Sequence, residues 1–271
     1  MNYLPQAISI ATHAGEILLS HFHSGFSHSI KIKSDHSPVT QADMASNKYI
    51  TEQLIKLNSE IPVLSEENNI PDFSVRKKWE RYWLIDPLDG TRGFINHSPE
   101  FCVNIALIEN HEAALGVIYS PVEKICYYGV KNNGAFLIDA NNTTQAITTS
   151  KNNLRPLRFL CGHTDRARQY KKALEKKFKN VVITPMNSAL KFGLVACGKD
   201  DLYVRFGPTS EWDTAAGQCI VEAAGGSVVD FQGKPLQYNA KESLLNSSFM
   251  TMGDNAQCQR YLDLLQAISV S

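Results

Sequence analysis

Trp83-Leu84-Ile85-Asp86-Pro87-Leu88-Asp89-Gly90-Thr91-Arg92-Gly93-Phe94, entered through Tyr82, is the stretch on which the reading of the fold turns. Tyr82 to Ile85 is an apolar run of the length of a short buried strand, and it ends abruptly in two carboxylates separated by Pro87 and Leu88. Pro87 removes a ladder donor and Gly90 permits an unusual backbone angle. The chain is therefore expected to turn here and to hold Asp86 and Asp89 on a rigid corner at the strand's C-terminal edge. Two acids this close repel unless a cation sits between them, and a hard divalent ion such as Mg²⁺ suits oxygen ligands of this kind. Without an ion, Asp89-Gly90-Thr91 is only a polar turn.

Around that corner the composition is that of an ordinary globular protein: 271 residues, 43% hydrophobic and 20% charged. That is enough for one large core or two closely joined halves. Basic and acidic residues number 27 each, so the formal charge is zero and no global field draws in nucleic acid or a membrane surface; an anion must be held by a local cluster. The six cysteines are scattered singly with no C-x-x-C pair, a pattern of reduced core thiols rather than a disulfide framework or a zinc site. There is no basic leader followed by an apolar core and no run long enough to span a bilayer. The expected compartment is the cytoplasm, with peripheral association at the inner membrane left open.

From the N-terminus, Leu4, Ile8, Ala11, Ala14, Leu18 and Phe22 recur at helical spacing, predicting an amphipathic helix that ends near Gly25. Ile30 to Val39 reads as a strand-like run falling into a polar loop. Thr40 then caps a second helix with Asp43 three residues on, a capping-box pattern, and with Met44, Ile50, Leu54, Ile55 and Leu57 as its apolar stripe. Pro62 to Ser65 is a short strand running into Glu66-Glu67. These acids also stand at a strand end, upstream of the Asp86 corner, and are candidate ligands for the same ion. Phe101 to Leu137 reads as an antiparallel meander broken at Asn110-His111, Ser120-Pro121 and Asn132-Asn133-Gly134.

The polar stretch Asp139 to Asn153 is the candidate boundary between an N-terminal α+β half, residues 1–140, and a C-terminal α/β half, residues 154–271. Beyond it, strands at Leu157–Cys161, Val181–Thr184, Leu202–Arg205 and Ser227–Val229 alternate with helices near Arg166–Lys179, Ser188–Cys197 and Trp212–Ala224. Lysines 171, 172, 176, 177 and 179 read as a solvated outer helix face. Ser210 and Asp213 open the last of these helices in another capping-box arrangement. Lys191 and Arg205 are isolated cations in apolar contexts, open to two readings: stems covering core, or phosphate ligands.

Two segments carry a resemblance that goes beyond these readings. Asp86-Pro87-Leu88-Asp89-Gly90-Thr91 and Trp212-Asp213-Thr214-Ala215-Ala216-Gly217 are similar to the two signatures of the inositol monophosphatase-like superfamily of Mg²⁺-dependent phosphatases. Ser37–Asp43, Pro62–Glu67, Tyr82–Asp86, Val103–Ile108, Arg205–Thr209 and Gln232–Leu236 resemble, more narrowly, its bacterial CysQ group of 3′(2′),5′-bisphosphate nucleotidases. The resemblance implies a layered αβαβα sandwich of the inositol monophosphatase and fructose bisphosphatase type. It implies two or three Mg²⁺ ions held by Glu66, Asp86, Asp89, Asp213 and the Leu88 carbonyl, and a catalytic group of Glu66, Thr91 and the supporting base Asp43. The reacting phosphate would lie against Glu66, Leu88, Asp89, Gly90, Thr91 and Asp213, with His163, Ser188, Lys191 and Arg205 toward the nucleotide and its distal phosphate. The implied reaction is hydrolysis of 3′-phosphoadenosine 5′-phosphate to AMP and phosphate, in sulfur metabolism, with sensitivity to Li⁺. Alternatives with the same motifs are an inositol- or sugar-phosphate phosphatase and, more remotely, a phosphonucleotide-binding protein without catalysis. Two departures stand out: CysQ-type sequences read Gly-Thr-Lys-Glu-Phe where this chain has Gly90-Thr91-Arg92-Gly93-Phe94, losing an acid at Gly93, and Gly-Ser-Ser-Leu-Lys where it has Met186-Asn187-Ser188-Ala189-Leu190-Lys191, a difference around the serines that includes Asn187.

Overall fold

The computed structural model describes residues 3–24, 31–32, 38–151, 156–163, 175–176, 180–207 and 209–269. In chain order its elements begin with helix α1 (Leu4–His23), the short pair β1 (Lys31–Ile32) and β2 (Pro38–Val39), and helix α2 (Gln41–Leu57). Then come β3 (Val63–Ser65), α3 (Phe73–Arg76), β4 (Arg81–Asp89), α4 (Thr91–Ile95), β5 (Cys102–Glu109), β6 (Glu112–Ser120), β7 (Ile125–Val130), β8 (Ala135–Ile138) and β9 (Thr144–Ile147). The chain continues through β10 (Leu157–Cys161), β11 (Val181–Pro185), α5 (Leu190–Ala196), β12 (Leu202–Arg205) and β13 (Thr209–Ser210). A 3₁₀ turn (Glu211–Asp213), α6 (Ala215–Ala223), β14 (Ser227–Asp230), β15 (Leu245–Asn246), β16 (Phe249–Met252) and α7 (Cys258–Ser269) complete it. Of the expected helix over Arg166–Lys179 only residues 175–176 are described, and they are helical; the helix end at Gly25 and the loop at 33–37 lie outside the described residues, as do the lysines named above apart from exposed Lys176.

Two sheets carry the fold. The first has seven strands in the order β3-β4-β5-β6-β7-β8-β9. Within it β3 runs parallel to β4, and every later neighbour is antiparallel, as the meander predicts. The polar stretch after Ile138 supplies β9 to the edge of this same sheet. The second sheet, in the order β11-β10-β12-β16-β14, mixes parallel β10–β11 and β10–β12 pairs with antiparallel pairs to β16.

Side chains alternate across β4, and both faces are covered, which is why its sequence is apolar without alternation. Trp83 and Ile85 enter a core shared with α1 and α2, whereas Tyr82 and Leu84 enter one shared with α5, α6 and the second sheet. A third core joins the second sheet to α7. The layers thus run helix, sheet, helix, sheet, helix. Burying each of the four large β4 side chains contributes roughly 1.5–3 kcal/mol, a firm mount for the acids that follow.

Helix α6 sits close to the first sheet because two glycines leave room: a Cβ on Gly116 of β6 would lie 2.3 Å from the Ala216 carbonyl oxygen, and one on Gly129 of β7 would lie 2.9 Å from Ile220 Cα. This close approach carries the turn preceding α6, and with it Asp213, to the end of β4.

Several expectations are corrected. The strand at the acidic corner does not stop at Ile85; β4 continues through Asp89, with a register shift between Asp86 and Asp89 that absorbs Pro87. On α2 the buried residues are Ala42, Asp43, Ser46, Asn47, Ile50 and Leu54, while Met44 and Ile55 are half exposed. The helix expected from Trp212 is two pieces. The Thr214 amide and hydroxyl both fold back onto the Glu211 carbonyl (3.2 and 3.1 Å), closing the 3₁₀ turn before α6 begins. Strand β16 and helix α7 were not anticipated.

Candidate metal centre and active site

Three elements deliver carboxylates to one point. Ser65 of β3 pairs with Ile85 of β4, and the Glu66 amide donates to the Ile85 carbonyl (3.2 Å), so Glu66 stands beside Asp86 at the same strand edge. Asp86 has the parity of Tyr82 and Leu84, which faces it toward the middle helix layer. Its Oδ1 accepts the Leu88 amide (3.0 Å), which fixes the carboxylate across Pro87. Asp213 comes from the 3₁₀ turn, its Oδ2 accepting the Ser210 amide (2.9 Å) in a capping box. Glu66, Asp86 and Asp213 each offer an oxygen within 4.8 Å of the others.

Such a gathering is electrostatically unfavourable by itself. Asp86 is pushed well above the usual carboxylate range, first by burial and then by the charges of Glu66, Asp89 and Asp213. Asp213 is pushed up in the same way, by burial and then by Asp89 and Glu66. Burial and mutual repulsion of this kind are what a hard divalent cation relieves, and the oxygen donors fit such an ion.

Asp89 lies outside that trio. Its Oδ2 accepts the Ala189 amide and faces Cys102 Sγ (3.8 Å). Burial raises its pKa, and Lys191, the first opposing influence, pulls it back. The Leu88 carbonyl accepts the Thr91 hydroxyl (3.1 Å), and the same hydroxyl lies 3.3 Å from Asp43 Oδ1. Asp43 therefore does both things the sequence allowed: Oδ2 closes the capping box on the Thr40 amide (2.8 Å) and hydroxyl (2.6 Å), while Oδ1 faces Thr91. Gly90, at φ +95°, makes the turn between them. A Cβ there would lie 2.8 Å from the Glu100 carbonyl oxygen, so any other residue would strain the turn and press on that backbone.

The face of α2 that looks at this corner is polar for a reason. Ser46 Oγ donates to the Pro87 carbonyl (2.8 Å), and Asn47 Oδ1 accepts the Ser65 hydroxyl (2.7 Å). Both hold the β3 and β4 ends in place, and neither was singled out from sequence. Their signal was a pair of small polar residues on the α2 face nearest the acids.

Across the mouth stands the loop from Met186 to Ala189. Ser188 has φ +57°, and a Cβ on Gly90 would lie 3.3 Å from Ser188 Cβ. Lys191 is only 4% exposed; its Nζ donates to the Met186 carbonyl (3.0 Å) and the Ser188 carbonyl, and lies 4.9 Å from the centre of the Tyr203 ring. Burial pulls this ammonium down to about 8 against the opposing charge of Asp89. Arg205 is partly buried at the end of β12, and its charge is felt at Asp89 and Asp213. His163, half exposed after β10, places Nε2 3.3 Å from Glu100 Oε2. Glu100 was missed because nothing local marks it. The two departures, Gly93 and Asn187, meet: a Cβ on Gly93 would lie 3.2 Å from Asn187 Nδ2.

Residues 2–263 match the inositol monophosphatase family. The chain belongs to that family. Among its relatives, the 3′(2′),5′-bisphosphate nucleotidase CysQ of Salmonella typhimurium is 42% identical over 91% of this chain and 98% of its own. The protein of the same name from Haemophilus influenzae is 38% identical over 93% of each. The crystal structure of CysQ from Bacteroides thetaiotaomicron, described as a bacterial member of the inositol monophosphatase family, superposes with a TM-score of 0.78 at 37% identity. It covers 91% of this chain and 95% of that one. The family fold is thus the five-layer arrangement described above. No helix among the described residues is long and apolar enough to cross a membrane.

Proposed function

We propose that the protein is a Mg²⁺-dependent 3′(2′),5′-bisphosphate nucleotidase that hydrolyses 3′-phosphoadenosine 5′-phosphate to AMP and phosphate. The observation that carries this is the convergence of Glu66, Asp86 and Asp213 beside the Thr91–Asp43 pair, in a chain about 40% identical to CysQ nucleotidases over nine-tenths of its length. In this reading Glu66, Asp86, Asp89, Asp213 and the Leu88 carbonyl hold two or three Mg²⁺ ions. When bound, the metal neutralises phosphate charge, lowers the pKa of water and stabilises the leaving oxygen.

The protein's own groups then divide the work. With the Leu88 carbonyl serving as a metal ligand, the Thr91 hydroxyl would donate its one proton to Asp43 Oδ1 instead, which turns a Thr91 lone pair toward the attacking water and gives its proton a path inward. Glu66 borders the same water. The amides of Gly90 and Thr91 suit a phosphate oxygen. His163, Ser188 and Arg205 take the nucleotide side, with Lys191 lending its charge from behind Ser188. The compartment that fits is the cytoplasm, where thiols stay reduced, as all six cysteines here are free.

The direct test is phosphate release from 3′-phosphoadenosine 5′-phosphate, with and without Mg²⁺ and with added Li⁺, alongside inositol 1-phosphate. Mg²⁺-dependent, Li⁺-sensitive release from the nucleotide is expected; preference for the inositol ester would leave the metal reading intact and sink the nucleotide one. Thr91→Val, which keeps the shape and removes the hydroxyl, should lower kcat about 10²–10³-fold. Thr91→Ser should recover most of that loss, and a Val variant as active as wild type would remove Thr91 and Asp43 from the proton path.

A further inference from the structure

One carboxylate oxygen ties the two halves of the mouth together. Glu100 precedes β5 of the first sheet, and its Oε2 accepts the Asn187 amide (2.9 Å), Asn187 Nδ2 (3.0 Å) and His163 Nε2 (3.3 Å). His163 and Asn187 follow the adjacent parallel strands β10 and β11, at the carboxyl ends where α/β sheets bind ligands. The Met186 amide donates to the Cys161 carbonyl (2.8 Å), so the two strand ends are also joined directly.

The loop held there is not relaxed. Ser188 is a non-glycine residue in the left-handed region, a conformation that persists only where the surroundings over-determine it. Its neighbours supply that constraint from three sides: Glu100 on Asn187, Asp89 on the Ala189 amide, and Lys191 on the Met186 and Ser188 carbonyls. Two of the three anchors, Asp89 and Glu100, come from the first-sheet half. Gly93 completes the arrangement, because a side chain there would compete with the Asn187 amide for space. Gly93 and Asn187, two positions at which these segments differ from the CysQ motifs they resemble, are therefore in contact.

We propose that Glu100 is a positioning residue. Through Asn187 and His163 it fixes the 186–189 loop against the acidic corner and so sets affinity for the part of the substrate remote from the reacting phosphate. The proposal rests on the nucleotidase reading for the identity of that remote part, a nucleoside with a second phosphate. Glu100 does not touch the reacting phosphate in this account, so its loss acts on KM and leaves kcat in place.

Michaelis constants for 3′-phosphoadenosine 5′-phosphate, measured with Mg²⁺ on the full chain, test it. Glu100→Ala should raise KM about tenfold or more, with kcat within about threefold of wild type. Glu100→Gln, which keeps an acceptor for the Asn187 amide, should fall between the two. Gly93→Glu should raise KM similarly, and adding Asn187→Gly should bring it back, since the second change vacates the space the first one needs. Hydrogen exchange of the 186–190 amides, read by mass spectrometry without substrate, should speed about tenfold in Glu100→Ala. Unchanged exchange, or a fall in kcat at constant KM, overturns the positioning role. A wild-type enzyme that ignores the nucleotide while Glu100→Ala still loosens the loop overturns the nucleotidase reading instead.

Discussion

Asp89→Asn is expected to lower phosphate release by at least about 10³-fold, with the fold intact. A metal ion acting on a phosphoryl oxygen supplies several kcal/mol of charge stabilisation, and about 4 kcal/mol corresponds to that factor. Asn keeps an oxygen for the Ala189 amide but loses the charge that an ion and Lys191 both answer. Lys191 retains its carbonyl partners from Met186 and Ser188, so its ammonium is not stranded. Destabilisation should therefore stay within the ordinary range of about 0.5–3 kcal/mol, visible as a modest drop in Tm. The measurement is the rate at saturating substrate and Mg²⁺, with the thermal transition as a control. A rate equal to wild type would mean that the reaction occurs elsewhere on the protein.

Much of this site was legible because its chemistry is compressed into short segments. Asp86 to Thr91 brings two acids, a proline, a glycine and a hydroxyl within one turn, and each has a local physical reason that can be read without a structure. Asp43 was legible as a cap for the same reason, but a cap uses only one of its oxygens; that the other faces Thr91 depends on how α2 packs against β4. The same packing misled the hydrophobic count on α2. The helix turns Ser46 and Asn47 inward to hold Pro87 and Ser65, so Met44 and Ile55 are left half exposed while Ile50, Leu54 and Leu57 of the same stripe pack into the core. Glu100 lies at the far end of this scale. Its partners His163 and Asn187 are brought to it only by the pairing of β10 with β11 and by the closeness of the two halves. Nothing in Ser98-Pro99-Glu100-Phe101 signals that.

The second large effect expected is on stability, and it changes sign with the ion. Without metal, burial and then the neighbouring acids push Asp86 and Asp213 well above the usual carboxylate range, whereas in the unfolded chain carboxylates titrate near about 4. Between that value and the raised folded values the native state binds more protons than the unfolded one, so metal-free stability falls as pH rises. Mg²⁺ must displace those protons to bind, so its stabilising effect grows over the same window. At about a hundredfold excess over Kd the ion contributes about 2.7 kcal/mol, a Tm rise of about 5–10 °C near pH 8, shrinking toward about pH 5. Asp86→Asn removes one of the repelling charges and keeps an acceptor for the Leu88 amide. The metal-free variant should therefore melt a few degrees higher than wild type near pH 8, by about 1 kcal/mol, while losing both the Mg²⁺ response and catalysis. Scanning calorimetry of both proteins at the two pH values, with chelator or Mg²⁺, distinguishes the outcomes. A Mg²⁺ response that is the same at both pH values and survives Asp86→Asn would place the ion away from Glu66, Asp86 and Asp213. Loss of the response together with a lower metal-free Tm would mean that the Asp86 charge supports the fold rather than strains it.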